Sequence, residues 1–268
     1  MALDNYEGFK ADILRKTKID LSAYKEKQMR RRIDSLAVKH KCNSYEEYTK
    51  LMEKEHEVFD EFINFMTINV SEFYRNPEQW DYLDKEFIPE LIKRFGKNLK
   101  IWSAACSTGD EPYSLVMALS RHLPLNQIKI MATDLDNEVM RQAKVGLYND
   151  KSIAGVPADL KKKYFTQVGK SWQISDEIKS RVEFKQHNLL KDPYPKGCDM
   201  IVCRNVLIYF TEEAKYEVYQ KFEEALKEQG ILFIGSTEQV TDYKKIGYKR
   251  RYSFFYQKDA ETKASANK

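Results

Sequence analysis

The turn Ser103-Ala-Ala-Cys-Ser-Thr-Gly-Asp-Glu-Pro-Tyr-Ser114 concentrates small residues and carboxylates between Leu99-Lys-Ile-Trp102 and Leu115-Val-Met-Ala-Leu119. The first flank reads as a strand and the second as a helix. Pro112 suits a first helical turn, where its missing N–H costs nothing. Small residues at a strand-to-helix turn let a ligand approach the backbone closely. Asp134 follows a second apolar strand, Ile128-Lys-Ile-Met-Ala132. A Gly-containing turn plus an acid ending the next strand is how an α/β sheet holds a nucleoside, the acid accepting hydrogen bonds from ribose hydroxyls. Taken singly, Glu111 reads equally as an acid complementing a helix dipole, and Asp134 as a helix cap. Together, at neighbouring strand ends of one parallel sheet, they point to a ligand, because such sheets bind outside the carboxyl ends of their strands.

Three further clusters carry polar groups at element ends. Thr67-Ile-Asn-Val-Ser-Glu-Phe-Tyr-Arg-Asn76 brings the amide of Asn69, the hydroxyl of Ser71 and the guanidinium of Arg75 just before a helix opening at Pro77; by itself it reads as a capped loop. Cys203-Arg-Asn-Val-Leu-Ile-Tyr-Phe210 places Arg204 and Asn205 at the end of a deeply apolar strand, with Tyr209 shortly after. A guanidinium there is costly unless paired or open to a cleft, which favours a site over a core. Gln186-His-Asn-Leu-Leu190 ends another strand with Asn188 and Leu189, and His187 reads as structural.

The elements that must position these groups fall into two styles. Residues 1 to about 70 read as all-helical, with no glycine after Gly8 and no proline. Charge is segregated within them. Tyr24 to Lys41 holds seven Lys/Arg against two acids, and Ser44 to Phe62 holds seven acids against two lysines. Met29, Ile33 and Leu36 share one helical face, while Lys27 and Arg31 lie on the other with Arg30 and Arg32 at its flanks. Charge alone makes this a solvated helix face; the functional reading is a docking surface for an acidic partner. A helical pattern from Pro77 to Phe95 connects the halves. Apolar strands then alternate with helices: Leu99–Ala105, Ile128–Thr133, Val182–His187, Asp199–Cys203 and Ile231–Gly235, with helices from Pro112, Asp136 and Thr211. This alternation predicts an α/β fold with a parallel sheet covered on both faces. Tyr248 to Gln257 reads as one last strand. Tyr164 to Ile174, a hairpin around Gly169-Lys170, interrupts the alternation and predicts an inserted small β subdomain at 150–181. The polar tail from Asp259 reads as disordered.

Composition excludes several classes. The chain has 268 residues, is 42% hydrophobic and 32% charged, and carries a formal net charge of +4, which does not suggest a nucleic-acid protein. The N-terminal residues lack a signal-peptide pattern, and the best apolar run, Met200 to Phe210, is interrupted by Arg204 and Asn205. Cys42, Cys106, Cys198 and Cys203 form no CxxC pair; they read as reduced thiols of a cytoplasmic protein, with no metal site expected.

Four of these motifs, in this order, resemble the chemotaxis receptor methyltransferases (CheR type). The carrying segments are Thr67-Ile-Asn-Val-Ser-Glu-Phe-Tyr-Arg75, Ser107-Thr-Gly-Asp-Glu-Pro-Tyr-Ser114, Asn188-Leu-Leu190 and Cys203-Arg-Asn-Val-Leu-Ile-Tyr-Phe210. The match runs from about residue 5 to 257. The resemblance implies a Rossmann-like class I methyltransferase domain (76–268) with the inserted antiparallel β subdomain, preceded by a small helical domain (1–75) that docks the receptor. It implies methyl transfer from S-adenosylmethionine, without metal, to glutamate side chains in the cytoplasmic helical methylation region of chemoreceptors. It implies cofactor contacts at Asn69, Ser71, Arg75, Glu111, Asp134, Asn188, Leu189, Arg204 and Asn205, and catalytic roles for Arg75 and Tyr209. It turns the Lys27, Arg30, Arg31 and Arg32 face into an expected docking surface. Ser71 stands where the family usually has Thr, Tyr74 where it has Phe, and Asp110 where it commonly has Glu; none removes a needed group.

The chemistry agrees with the absence of a His/Asp dyad. A glutamate carboxylate, with a pKa of about 4.3, is already ionised at neutral pH, so transfer needs alignment of the reactants and no general base. A nucleic-acid amino-group methylator would carry an Asn/Asp-Pro-Pro-Tyr/Phe segment where Arg204-Asn-Val-Leu-Ile-Tyr209 stands. A non-catalytic S-adenosylmethionine sensor would not need the Arg75, Glu111, Asp134 and Tyr209 set. No oligomer signal is visible, so a monomer is expected.

Overall fold

The computed structural model describes residues 3–67 and 71–266. The chain forms two compact units, Met1–Asn69 with Leu207–Glu217, and Val70–Val206 with Val218–Lys268. No described helix is long and apolar enough to cross a membrane.

The first unit holds α1 (Tyr6–Thr17), α2 (Glu26–Lys39), α3 (Tyr45–Lys54) and α4 (His56–Thr67). Local chemistry starts α1 and α3 where the sequence offers a cap. The Asn5 side chain accepts from the Gly8 N–H and Ser44 Oγ from the Glu47 N–H, each at 3.1 Å. Met29, Ile33 and Leu36 are buried, as their spacing predicts. They share the core with Phe9, whose ring lies 4.8 Å from Tyr45 and 6.3 Å, edge-on, from Phe62. Each such side chain contributes about 1.5–3 kcal/mol through burial. The distant segment Leu207–Glu217 joins this unit through backbone pairing. Lys25 N–H donates to the Tyr209 carbonyl and Thr211 N–H to the Ala23 carbonyl, both at 2.9 Å, and Tyr24 and Phe210 meet edge-on.

The second unit carries α5 (Pro77–Tyr82), α6 (Ile88–Phe95), α7 (Asp110–Leu119), α8 (Asn137–Val145), α9 (Ala158–Tyr164) and α10 (Asp176–Lys179). After α11 (Glu212–Ala225) come α12 (Tyr243–Ile246) and α13 (Ala260–Ala266). Its strands are β1 (Ile101–Ala104), β2 (Ile130–Asp134), β3 (Leu147–Asn149), β4 (Phe165–Val168), β5 (Ser171–Ile174), β6 (Val182–Gln186), β7 (Cys198–Cys203), β8 (Leu226–Ile234), β9 (Tyr248–Tyr252) and β10 (Phe255–Lys258). Seven form one mixed sheet in the order β6-β2-β1-β7-β8-β10-β9. The first five are parallel and β10 pairs antiparallel with both β8 and β9. β7 is buried along its whole length, as its nearly continuous apolar run requires. The order runs outward from β1 through β2 to β6, then reverses through β7 and β8. The β1–β7 boundary is therefore the switch point, where ligands of open α/β sheets bind.

Four expectations change. The single last strand is a hairpin, β9 and β10, with Phe255 drawn inward to rings of Phe87 at 4.1 Å and Phe233 at 4.3 Å. The helix from Pro77 is interrupted by a π turn at Leu83–Phe87, where the Ile88 N–H reaches the Leu83 carbonyl. Pro89 follows, and the wider turn accommodates a residue that lacks a donor and crowds the preceding turn. The tail from Asp259 forms α13, because Asp259 Oδ1 accepts from the N–H groups of Glu261 and Thr262. The hairpin β4–β5 turns at Gly169 (φ 60°) and gains a third strand, β3, in the order β3-β5-β4.

Candidate active site

The site is built at the carboxyl ends of β1, β2 and β7. After β1 the chain turns through Ala105 (φ 62°), Ser107 (φ 48°) and Gly109 (φ 88°). Left-handed backbone at Ala105 and Ser107 is uncommon for residues with a Cβ and marks a loop held by its surroundings. The Asp134 carboxylate supplies that hold. Its Oδ2 accepts from Ser107 N–H at 2.8 Å and its Oδ1 from Asp136 N–H at 3.0 Å. The Leu135 N–H is a third backbone donor to this carboxylate, which can still accept a further hydrogen bond. Burial pushes the Asp134 pKa up to about 6, against the stabilising backbone donors. Gly109 cannot carry a side chain, since a Cβ would lie 2.8 Å from Ala143 Cβ.

One turn into α7, Glu111 accepts from Ser103 Oγ at 2.8 Å. It keeps partial access to solvent, yet protein surrounds it closely enough to push its pKa up to about 7; Arg204 and Arg75 pull the other way. Asp110 beside it is fully buried, accepts from Thr108 Oγ1 at 2.6 Å, and is pushed to about 6 by burial while Ser71 draws it down.

Arg204 leaves β7 and turns into the protein. Its Nη2 donates to the Arg75 carbonyl at 2.6 Å, to Gln79 Oε1 at 2.7 Å and to Asn76 Oδ1 at 3.3 Å. The guanidinium stacks 4.7 Å from the Phe233 ring centre. Arg204 thus fastens the loop after residue 70 to the end of β7 and sits in the electrostatic field of Glu111. The Arg75 carbonyl also accepts from Trp80 Nε1 at 3.0 Å, and Tyr74 N–H donates to Ser114 Oγ at 3.1 Å. The half-buried Arg75 is therefore delivered by a loop pinned on both sides.

Asn205 takes left-handed backbone (φ 60°), and its Oδ1 is buried with no partner among the described residues. Asn188 makes an Asx turn, its Oδ1 accepting from Leu190 N–H at 2.9 Å, and the Leu189 carbonyl accepts from Tyr194 Oη at 2.7 Å. His187 packs edge-on to Trp102 at 5.4 Å, its pKa lowered by burial, which suits a structural histidine.

The structure thus brings Ser71, Arg75, Glu111, Asp134, Arg204 and Asn205 around the switch point, with Asn188 and Leu189 in the turn that follows β6. Asn69 lies outside the described residues. Tyr209 falls in the first unit, with its side chain near Arg32. The expected docking face divides. Lys27 and Arg31 are exposed, but Arg30 donates to the Leu3 carbonyl and Arg32 to the Phe65 carbonyl, so both are half-buried and internally engaged. Among the described residues no cluster of three or more His, Cys, Asp or Glu could hold a metal ion.

Sequence reasoning missed Gln79 and Glu238, whose oxygens hold the two sides of Arg204–Val206. The available signal was Gly235-Ser-Thr-Glu238, an acid just beyond an apolar strand, the same pattern that flagged Asp134.

Comparison with known proteins agrees along the chain. Residues 4–67 match the family described as CheR methyltransferase, all-alpha domain, and residues 69–252 match CheR methyltransferase, SAM binding domain. The chain is 41% identical over 252 residues to the chemotaxis protein methyltransferase of Listeria innocua, covering 94% of this chain and 96% of that protein. It is 32% identical over 243 residues to the chemotaxis protein methyltransferase of Borreliella burgdorferi, covering 86% of each. With both family models matched along the chain and relatives covered almost end to end, the chain belongs to the CheR methyltransferase family of S-adenosylmethionine-dependent enzymes.

Proposed function

We propose that this protein acts in the cytoplasm on glutamate side chains in the helical methylation region of chemoreceptors, converting them to methyl esters for chemotactic adaptation. The observation that carries this reading is the pair Asp134 and Glu111 at adjoining strand ends where the sheet order reverses. The site residues suit S-adenosylmethionine. Asp134 retains capacity to accept from a ribose hydroxyl beyond its backbone donors, Asn205 Oδ1 is a buried acceptor without a partner among the described residues, and Glu111 offers negative charge to a cation.

The cofactor would supply a methyl group activated on a sulfonium. The chain's task is to orient it. Arg75 is assigned to the cofactor carboxylate rather than to the substrate, since a tight grip on the attacking carboxylate would damp its nucleophilicity. Tyr209 is assigned to placing the glutamate or the methyl group. Asn69, Ser71, Asn188, Leu189 and Arg204 complete the proposed binding set, Arg204 acting through the Arg75 carbonyl.

The test is transfer of radiolabelled methyl from S-adenosylmethionine to receptor-containing membranes, followed by alkali. Label on receptor released as methanol identifies a glutamyl methyl ester. Absence of transfer by a protein that binds the cofactor would sink the proposal and favour a sensor, and label on nucleic acid would replace the substrate.

Cofactor affinity should depend on pH through Glu111. Its pKa in the free site is about 7. A ligand that prefers the ionised carboxylate binds fully above that pH and loses up to about tenfold per unit below it. Calorimetry with S-adenosylhomocysteine from pH 8.5 to pH 6 should show this loss, and Glu111→Gln should flatten it. Equal pH profiles for the two proteins would remove Glu111 from the cofactor.

Receptor docking is assigned to Lys27 and Arg31. Reversing both to Glu should raise the receptor KM by about tenfold and leave S-adenosylhomocysteine affinity unchanged. The wild-type receptor KM should rise with salt, because exposed charges are screened. A receptor KM insensitive to both changes would remove this face from docking.

A further inference from the structure

The end of β7 is held from the opposite side by a carboxylate that no part of the proposed chemistry uses. Glu238 is buried. Its Oε2 accepts from Asn205 N–H at 2.7 Å and from Gly235 N–H at 2.8 Å, and its Oε1 accepts from Val206 N–H at 3.0 Å. Its own N–H donates to the Gly235 carbonyl at 3.2 Å, closing a tight turn beyond β8. One carboxylate therefore joins the ends of two adjacent parallel strands.

The residue most affected is Asn205. Its left-handed backbone is a conformation that a non-glycine residue adopts at a cost, and Glu238 captures the N–H on each side of its Cα. Gly235 presses on the same residue. A Cβ there would come within 2.7 Å of Asn205 N and 2.8 Å of its side-chain amide. Two neighbours thus fix both the backbone and the side chain of a residue whose buried Oδ1 has no partner among the described residues.

We propose that Glu238 is the positioning residue that aims Asn205 at the cofactor. This rests on the reading of Asn205 as a cofactor contact. A carboxylate is suited to the role because both oxygens accept and neither donates, so three N–H groups can converge on it. An amide of the same shape presents an NH2 to at least one of those donors.

Glu238→Gln is the test, read by calorimetry with S-adenosylhomocysteine and by thermal melting. The expected result is a folded protein with affinity reduced about tenfold and a receptor KM close to wild type. A purely structural cap would instead lower the melting temperature and leave the affinity of the folded protein intact, and that result overturns the proposal. Asn205→Ala separates the two levels. If it binds as tightly as wild type, the reading of Asn205 fails; if it binds weakly while Glu238→Gln does not, only the positioning role fails. Should Glu238→Gln not fold, amide exchange in the wild type decides. Protected Asn205 and Val206 N–H groups in the cofactor-free protein support the clamp, and rapid exchange at both overturns it.

Discussion

Asp134→Asn should reduce affinity for S-adenosylhomocysteine by about a hundredfold, measured by calorimetry on folded protein. Two losses combine. The native carboxylate holds the Ser107 and Asp136 N–H groups, one per oxygen, with the Leu135 N–H beside them, and can still accept from a ligand hydroxyl. An asparagine can satisfy only one of those backbone donors, because its NH2 faces the other. Ser107 sits in left-handed backbone, so an unheld loop is expected to relax and move the wall of the site. The ligand meanwhile loses hydrogen bonds to a charged group, worth about 1.5–3 kcal/mol each. Losing about 2.7 kcal/mol in all is a hundredfold in affinity. Asp136→Ala is the control. Its side chain caps α8 by accepting from the Glu138 and Val139 N–H groups, so its loss should cost stability and spare affinity. Equal affinity for Asp134→Asn and wild type would take the ribose away from Asp134.

The sheet and the site were legible to different degrees, for identifiable reasons. β1, β2, β6 and β7 stand close to their expected places because each is an apolar run ended by small or polar residues. β9 and β10 merged into one expected strand because Arg251-Tyr-Ser-Phe-Phe255 has no glycine or proline to mark the turn. β3 escaped because three residues carry too little pattern to distinguish a strand. At the site, residue type and strand-end position were enough to pick out Asp134, Glu111 and Asn205. They did not give direction. Arg204 was expected to be either paired or open to a cleft, and its guanidinium is spent on three oxygens of the neighbouring loop. Arg30 and Arg32 were read from helical spacing as flanks of a surface, but carbonyls of Leu3 and Phe65 lie within their reach. Such partners are set by tertiary packing and leave no trace in local sequence. Glu238 is the same case, an acid whose partners come from two strands.

Arg204→Met should show how strongly that buried guanidinium couples structure to chemistry. Methionine fills similar volume beside Trp80 and Phe233 but leaves the Arg75 carbonyl and Gln79 Oε1 without their charged donor. The Arg75 carbonyl keeps its Trp80 donor, so the main cost is Gln79 Oε1 left unpaired, about 1–3 kcal/mol, partly offset because the arginine no longer has to be desolvated. A net loss of about 1–2 kcal/mol in denaturant unfolding is the expected stability effect. The electrostatic effect is separate. Burial holds the Glu111 pKa up, and Arg204 is the strongest influence pulling it down. Without that cation the Glu111 pKa rises further, so the proton must be displaced at higher pH before a cation can bind. The midpoint of the affinity–pH curve should therefore move to the alkaline side in Arg204→Met. Arg204→Lys should restore much of the midpoint, since it returns a positive charge, but little of the stability, since a compact, strongly hydrated ammonium cannot stack on Trp80 and Phe233 as the flat guanidinium does. If the midpoint stays at its wild-type value in Arg204→Met while stability falls, Arg204 is a fastening of the loop alone and has no part in setting the charge of the cofactor site.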